Sequence, residues 1–176
     1  MLSTGAAAGN GEGRGTPAAQ SSGEWHVAAV ELSRAGRAPM ALDELIQFSL
    51  DQGVAQVKKV GSPLNPFLIL DDGRAFFFVP ASGAADPMEI ALVTLGAHGA
   101  NTSCCALVID SRITLQNGDK CDAIVAMTSR RGDAEGQTWA QAYRPGGWLR
   151  SFKVLDLREK VASSKNLFHE AGSAKP

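Results

Sequence analysis

Residues 67–79 read Phe-Leu-Ile-Leu-Asp-Asp-Gly-Arg-Ala-Phe-Phe-Phe-Val, and this stretch decides the fold class. FLIL and AFFFV are short apolar runs, and the Asp72-Gly73 pair between them suits a type I′ turn. A two-residue turn sets Asp71 opposite Arg74, Ile69 opposite Phe76 and Phe67 opposite Phe78. Leu68, Leu70, Phe77 and Val79 then share the other face. Both faces are apolar. A sheet covered by helices on one side only shows a polar outer face, so this hairpin is either central with both sides covered, or open to a partner through Leu68, Leu70, Phe77 and Val79.

Toward the N-terminus, Pro63-Leu64-Asn65-Pro66 precedes the hairpin. Before it, Leu42, Leu45, Ile46 and Ser49 recur at helical spacing after Pro39, predicting a helix that ends near Gly53 or runs on to Val57. Trp25–Leu32 fits a short helix or an edge strand equally well. Residues 1–23 carry six of the 19 glycines and are expected to be disordered. Their GNGEGRG run follows no strand and lacks a following Lys-Ser or Lys-Thr, so it reads as linker and not as a phosphate loop.

Toward the C-terminus, Asp86-Pro87-Met88-Glu89 is a capping box with proline at the first helical position, opening a second helix through Ile90, Val93 and Leu95. ALVIDSRITL then turns at Asn117-Gly118 and returns as CDAIVAM. A loop one residue longer than the tight turn places Ile109, Ile113 and Leu115 on the face of Met127, Ala123 and Cys121, and is favoured over the two-residue register. Cys121 is expected opposite Thr114 or Leu115. Residues 137–144 alternate as a further strand, and Trp148, Phe152 and Val154 fall together after Pro145-Gly146-Gly147. Asp156 and Glu159 suggest a short final helix.

The expected fold is therefore α+β: one mainly antiparallel sheet with helices packed on it, in the order α-β-β-α-β-β-β followed by a strand or helix. Residues 25–162 form one domain, and 163–176 read as a polar tail.

Several motifs resemble known patterns. Pro63–Phe67, Asp122–Val125 before a glycine turn, and Ala140–Pro145 resemble a loose set of short, uncharacterised bacterial α+β proteins, a likeness that brings no activity, cofactor or catalytic residue with it. The element order is similar to that of roadblock and longin-type modules, which are dimerising scaffolds.

Composition narrows the function classes. The chain is 44% hydrophobic with a net charge of −1, so the totals point neither to a polycationic nucleic-acid binder nor to a polyacidic mimic. The start lacks the basic and apolar regions of a secretion signal, and the uncharged run Ile90–Ile109 is interrupted by Gly96, His98, Gly99 and Asn101, so neither export nor a membrane span is expected. Three cysteines that cannot pair by geometry indicate reduced thiols and a cytoplasmic location. No metal or cofactor is expected and no small-molecule substrate is identifiable, since Cys104 and Cys105 point to opposite faces of a strand and no GxSxG, HExxH or P-loop occurs.

The enzymatic candidate is a thiol, Cys104 or Cys105, activated by His98 at the end of the second helix. Asp110 and Asp122 are not set opposite each other and read as solvated groups near the turn. Charge is uneven: residues 25–128 hold seven basic and eleven acidic side chains, residues 129–176 nine and five. Arg130, Arg131, Arg144, Arg150 and Lys153, with Arg158, suggest a basic surface on the last strands, with Tyr143 and Trp148 as stacking groups. The first expectation is nevertheless a non-enzymatic module that associates with itself or another protein through the hairpin's apolar face.

Overall fold

The computed structural model describes residues 25–32, 38–80, 86–115, 118–146 and 151–173. The segment 1–23 and Trp148 and Arg150 lie outside these. Ten elements follow in order: β1 (Trp25–Glu31), α1 (Leu42–Val60), β2 (Phe67–Leu70), β3 (Arg74–Pro80), α2 (Pro87–His98), β4 (Cys104–Thr114), β5 (Lys120–Arg130), β6 (Glu135–Arg144), β7 (Lys153–Lys165) and α3 (Leu167–Ser173). The strands form one seven-stranded sheet in the order β1-β3-β2-β4-β5-β6-β7. Every neighbouring pair is antiparallel. The fold is α+β, and the undecided segment at its start is an edge strand.

Helices cover both faces. On one side α1 lies over β4, β5 and β6 and buries Leu45, Ile46 and Leu50 against Phe67, Ile69, Val108 and Ile124. On the other, α2 and α3 pack together over Leu68, Leu70, Phe76, Phe78 and Leu107. This explains a hairpin without a polar face: all four residues of β2 are fully buried, each side chain contributing about 1.5–3 kcal/mol.

The hairpin register differs from the tight-turn expectation. Phe67 pairs with Phe77, Leu68 with Phe76 and Ile69 with Ala75, so residues 71–73 form the connection, with Gly73 at φ 89°. Asp71 decides it. Its carboxylate turns inward to accept the N–H groups of Ser103 (2.8 Å) and Cys104 (3.1 Å), tying the turn to the start of β4, while Arg74 pairs with Asp72 instead (2.6 Å). Leu68 and Leu70 consequently share a face with Phe76 and Phe78 beneath α2 and α3, whereas Phe77 and Val79 lie on the opposite face. The four residues expected to form one interface are thus divided, and two of them are core.

The β4–β5 hairpin keeps the favoured set of faces, with Ile109 opposite Val125 and Ile113 opposite Cys121. Cys121 therefore faces Ile113, one residue before Thr114 and two before Leu115, the two expected partners. The short helix expected to start at the Asp156–Glu159 cap is instead part of β7. Two register shifts between β6 and β7 break the strand alternation there, and the Gln141 side chain fills one of them by donating to the carbonyls of Leu155 (2.7 Å) and Leu157 (3.2 Å). Nor are residues 163–173 a tail. Asn166 caps α3 by accepting from Phe168 N–H, and its amide donates to the carbonyls of Arg130 and Asp133 at 2.8 Å. Leu167 is buried in the second core.

Candidate interaction surface

The residues chosen for chemistry do not assemble a reactive site. Cys104 and Cys105 are buried on opposite faces of β4, and burial pushes both thiols up from their ordinary value, with the Asp71 carboxylate adding to the effect. His98 stacks on Phe76 with ring centroids 4.8 Å apart, and among the described residues no hydrogen bond joins it to a thiol. A neutral, enclosed thiol without a base is a poor nucleophile. Among the described residues no group of three His, Cys, Asp or Glu side chains is placed to hold a metal ion. No helix among them is long and apolar enough to cross a membrane.

Asp110 is better placed than a solvated group near a turn. Its carboxylate accepts from Ser62 Oγ (2.7 Å), Leu64 N–H (3.1 Å) and the Tyr143 hydroxyl (2.8 Å). Tyr143 is completely buried, and burial raises its phenol above the ordinary range. Each hydroxyl spends its single proton on the carboxylate, so the cluster acts as a latch holding the α1–β2 connection on the sheet. Sequence reading missed it because Ser62, Asp110 and Tyr143 lie far apart in the chain.

The basic residues do not form one surface. Arg130 and Arg131 sit at one end of β5, and Arg144 and Lys153 meet at the other end of the neighbouring strands, roughly 30 Å away by strand rise. Arg130 pairs with Asp133. Arg131 donates to the carbonyls of Gly99 (2.7 Å) and Thr102 (3.1 Å) and lies 4.4 Å over the Phe168 ring. Arg158 divides its guanidinium among Gln141, Gln47 and Asp51. Tyr143, one of the two expected stacking groups, is core. Two open clefts, of about 380 and 310 Å³, flank the Lys165–Glu170 pair and the Cys121–Arg144 region; the first is lined by Ser163, Ser164 and His169, and among the described residues no hydrogen bond joins either serine hydroxyl to the imidazole.

What remains is the sheet margin. Leu32 N–H donates to the Gly73 carbonyl at 3.1 Å, in line with the β1–β3 register. Antiparallel ladders alternate, so His26, Ala28 and Val30 direct their peptide groups at β3, while Trp25, Val27, Ala29 and Glu31 direct theirs outward. Residues 26–31 are all exposed. Val27 and Val30 are 45% and 43% exposed, and Val79 beside them is 41% exposed. The opposite margin, β7, carries Lys153, Asp156, Glu159, Lys160 and Lys165, the charges that keep a free edge from pairing. β1 reads WHVAAVE, and its one carboxylate stands at the very end, opposite Arg74.

Comparison with known families, curated proteins and solved structures finds no match. The reading of this margin therefore rests on its own geometry. Elsewhere α2 carries a single charged residue, Glu89, near its start, and its Val93 is 69% exposed.

Proposed function

We propose that this protein is a non-enzymatic interaction module that works by adding a strand to its β1 edge. One observation carries the reading: a seven-residue edge with outward peptide groups, exposed valines and no blocking charge within Trp25–Val30, in a sheet whose other margin is heavily charged. Edge strands of this kind bind extended segments, the backbone supplying affinity and alternate side chains supplying selectivity. Three free thiols suit a reducing compartment.

A capped synthetic peptide copying residues 25–31 serves as the probe. Titrated into isotopically labelled protein, it is expected to shift the backbone amide signals of Val27, Ala29 and Glu31. Binding that leaves those amides unmoved, or no binding at millimolar peptide, overturns the reading.

A further inference from the structure

We infer that the cleft at the shared end of β5, β6 and β7 is a binding site for a small phosphate monoester with an apolar body, its phosphate held by Arg144 and Lys153. The sheet register brings the two cations together. Arg144 pairs directly with Lys153, one step beyond the Tyr143–Val154 pair, so both side chains leave the same face of neighbouring strands. Like charges set directly opposite each other destabilise a sheet. Both residues are exposed, and among the described residues no carboxylate pairs with either of them. The stretch 145–152 that joins the two strands reads Pro-Gly-Gly-Trp-Leu-Arg-Ser-Phe, which adds a further arginine and no acid. A bound dianion relieves this opposition.

The cleft supplies the rest of the selectivity. It encloses about 310 Å³ and is lined by Arg144 together with Leu115, Pro145 and Leu155, which give it an apolar side, and by the half-buried Cys121. Burial and then the Asp122 carboxylate raise the Cys121 thiol while Arg144 pulls the other way, which puts the guanidinium charge at the cleft. Two carboxylates also line it, and both are engaged: Asp122 pairs with Arg112 at 3.4 Å, and Asp119 has a partner of its own. Lys120 adds another cation to the lining. Two opposed cations match a dianion better than a single carboxylate, and a phosphate monoester carries about −1.5 to −2 charges at pH 7. The planar guanidinium of Arg144 suits two phosphate oxygens at once. Inorganic phosphate would use the charges and leave the apolar side empty.

The site lies toward the opposite margin of the sheet from β1 and stands or falls independently of strand addition there. The full chain, isotopically labelled and held at fixed ionic strength in phosphate-free buffer, is titrated with phenyl phosphate. The backbone signals of Cys121, Arg144 and Leu155 are expected to move together and saturate, while those of Val27, Ala29 and Glu31 stay in place. Inorganic phosphate, which has the charge without the ring, and benzoate, which has the ring with a single charge, are each expected to bind about tenfold more weakly. Arg144→Gln and Lys153→Gln are each expected to weaken phenyl phosphate by about tenfold with circular dichroism unchanged. Arg130→Gln, at the other end of β5, is expected to bind as the wild-type chain does. Phenyl phosphate that moves none of the three signals, that binds no better than inorganic phosphate or benzoate, or that binds the Arg144 and Lys153 variants as tightly as the wild-type chain overturns the inference.

Discussion

Gly53 sits within α1, where glycine costs about 1 kcal/mol relative to alanine, and the sheet beneath accounts for it. A β-carbon there would run into the Ile124 side chain and press on Val108, because α1 lies directly on β4 and β5. Gly53→Ala is therefore expected to destabilise the protein by about 1–3 kcal/mol despite its better helix propensity, measured by urea unfolding. The buried acids set the pH response. Tyr143 and Cys105 have folded values raised above their ordinary 10.0 and 9.0, so the neutral forms hold the native state together. Their contribution is complete below about pH 9 and is lost as pH rises through the folded values. Unfolding free energy is expected to fall between pH 8.5 and 11, and Tyr143→Phe to flatten the upper part of that decline. Cys104 and Cys105 are expected to resist alkylation at pH 7.5 until denaturant is added; rapid labelling of either would restore the thiol as a catalytic candidate.

At the scale of elements, the signals that could be read were local ones. The Asp86 cap was legible from its own four residues, and its carboxylate does accept the Met88 N–H at 2.9 Å. The amphipathic spacing of α1 and the two-sided apolar hairpin were equally plain. The register of residues 67–79 was not, because Asp71 is recruited by Ser103 and Cys104, more than thirty residues away, and a turn motif carries no trace of that. β7 escaped because two irregularities in its ladder erase the period of two. α3 was hidden in a polar context, though Asn166 before Leu167 and Phe168 was a usable cap signal. Asp71→Ala leaves two buried N–H groups without their acceptor, and is expected to cost about 1–3 kcal/mol in unfolding experiments. The interface expected through Leu68, Leu70, Phe77 and Val79 was placed on a hairpin whose Leu68 and Leu70 are core, while β1, the exposed edge, was undecided between helix and strand.

At the scale of the whole molecule, the uneven charge marks the two sheet margins and not one binding face. Part of the basic excess of the later residues is spent on Asp133, on Asp51 and Gln47, and on backbone carbonyls, and β7 carries Lys153, Lys160 and Lys165. Among the described residues, β1 is the margin that carries no charge before Glu31. Amide hydrogen exchange with and without the capped 25–31 peptide tests the account most directly. The inward amides of Ala28 and Val30 are protected by β3 in either case. The account predicts that the outward amides of Val27, Ala29 and Glu31 gain protection when the peptide is added, and that Ala29→Pro abolishes the gain. Outward amides that exchange at open-chain rates in saturating peptide while the inward ones remain protected would contradict it.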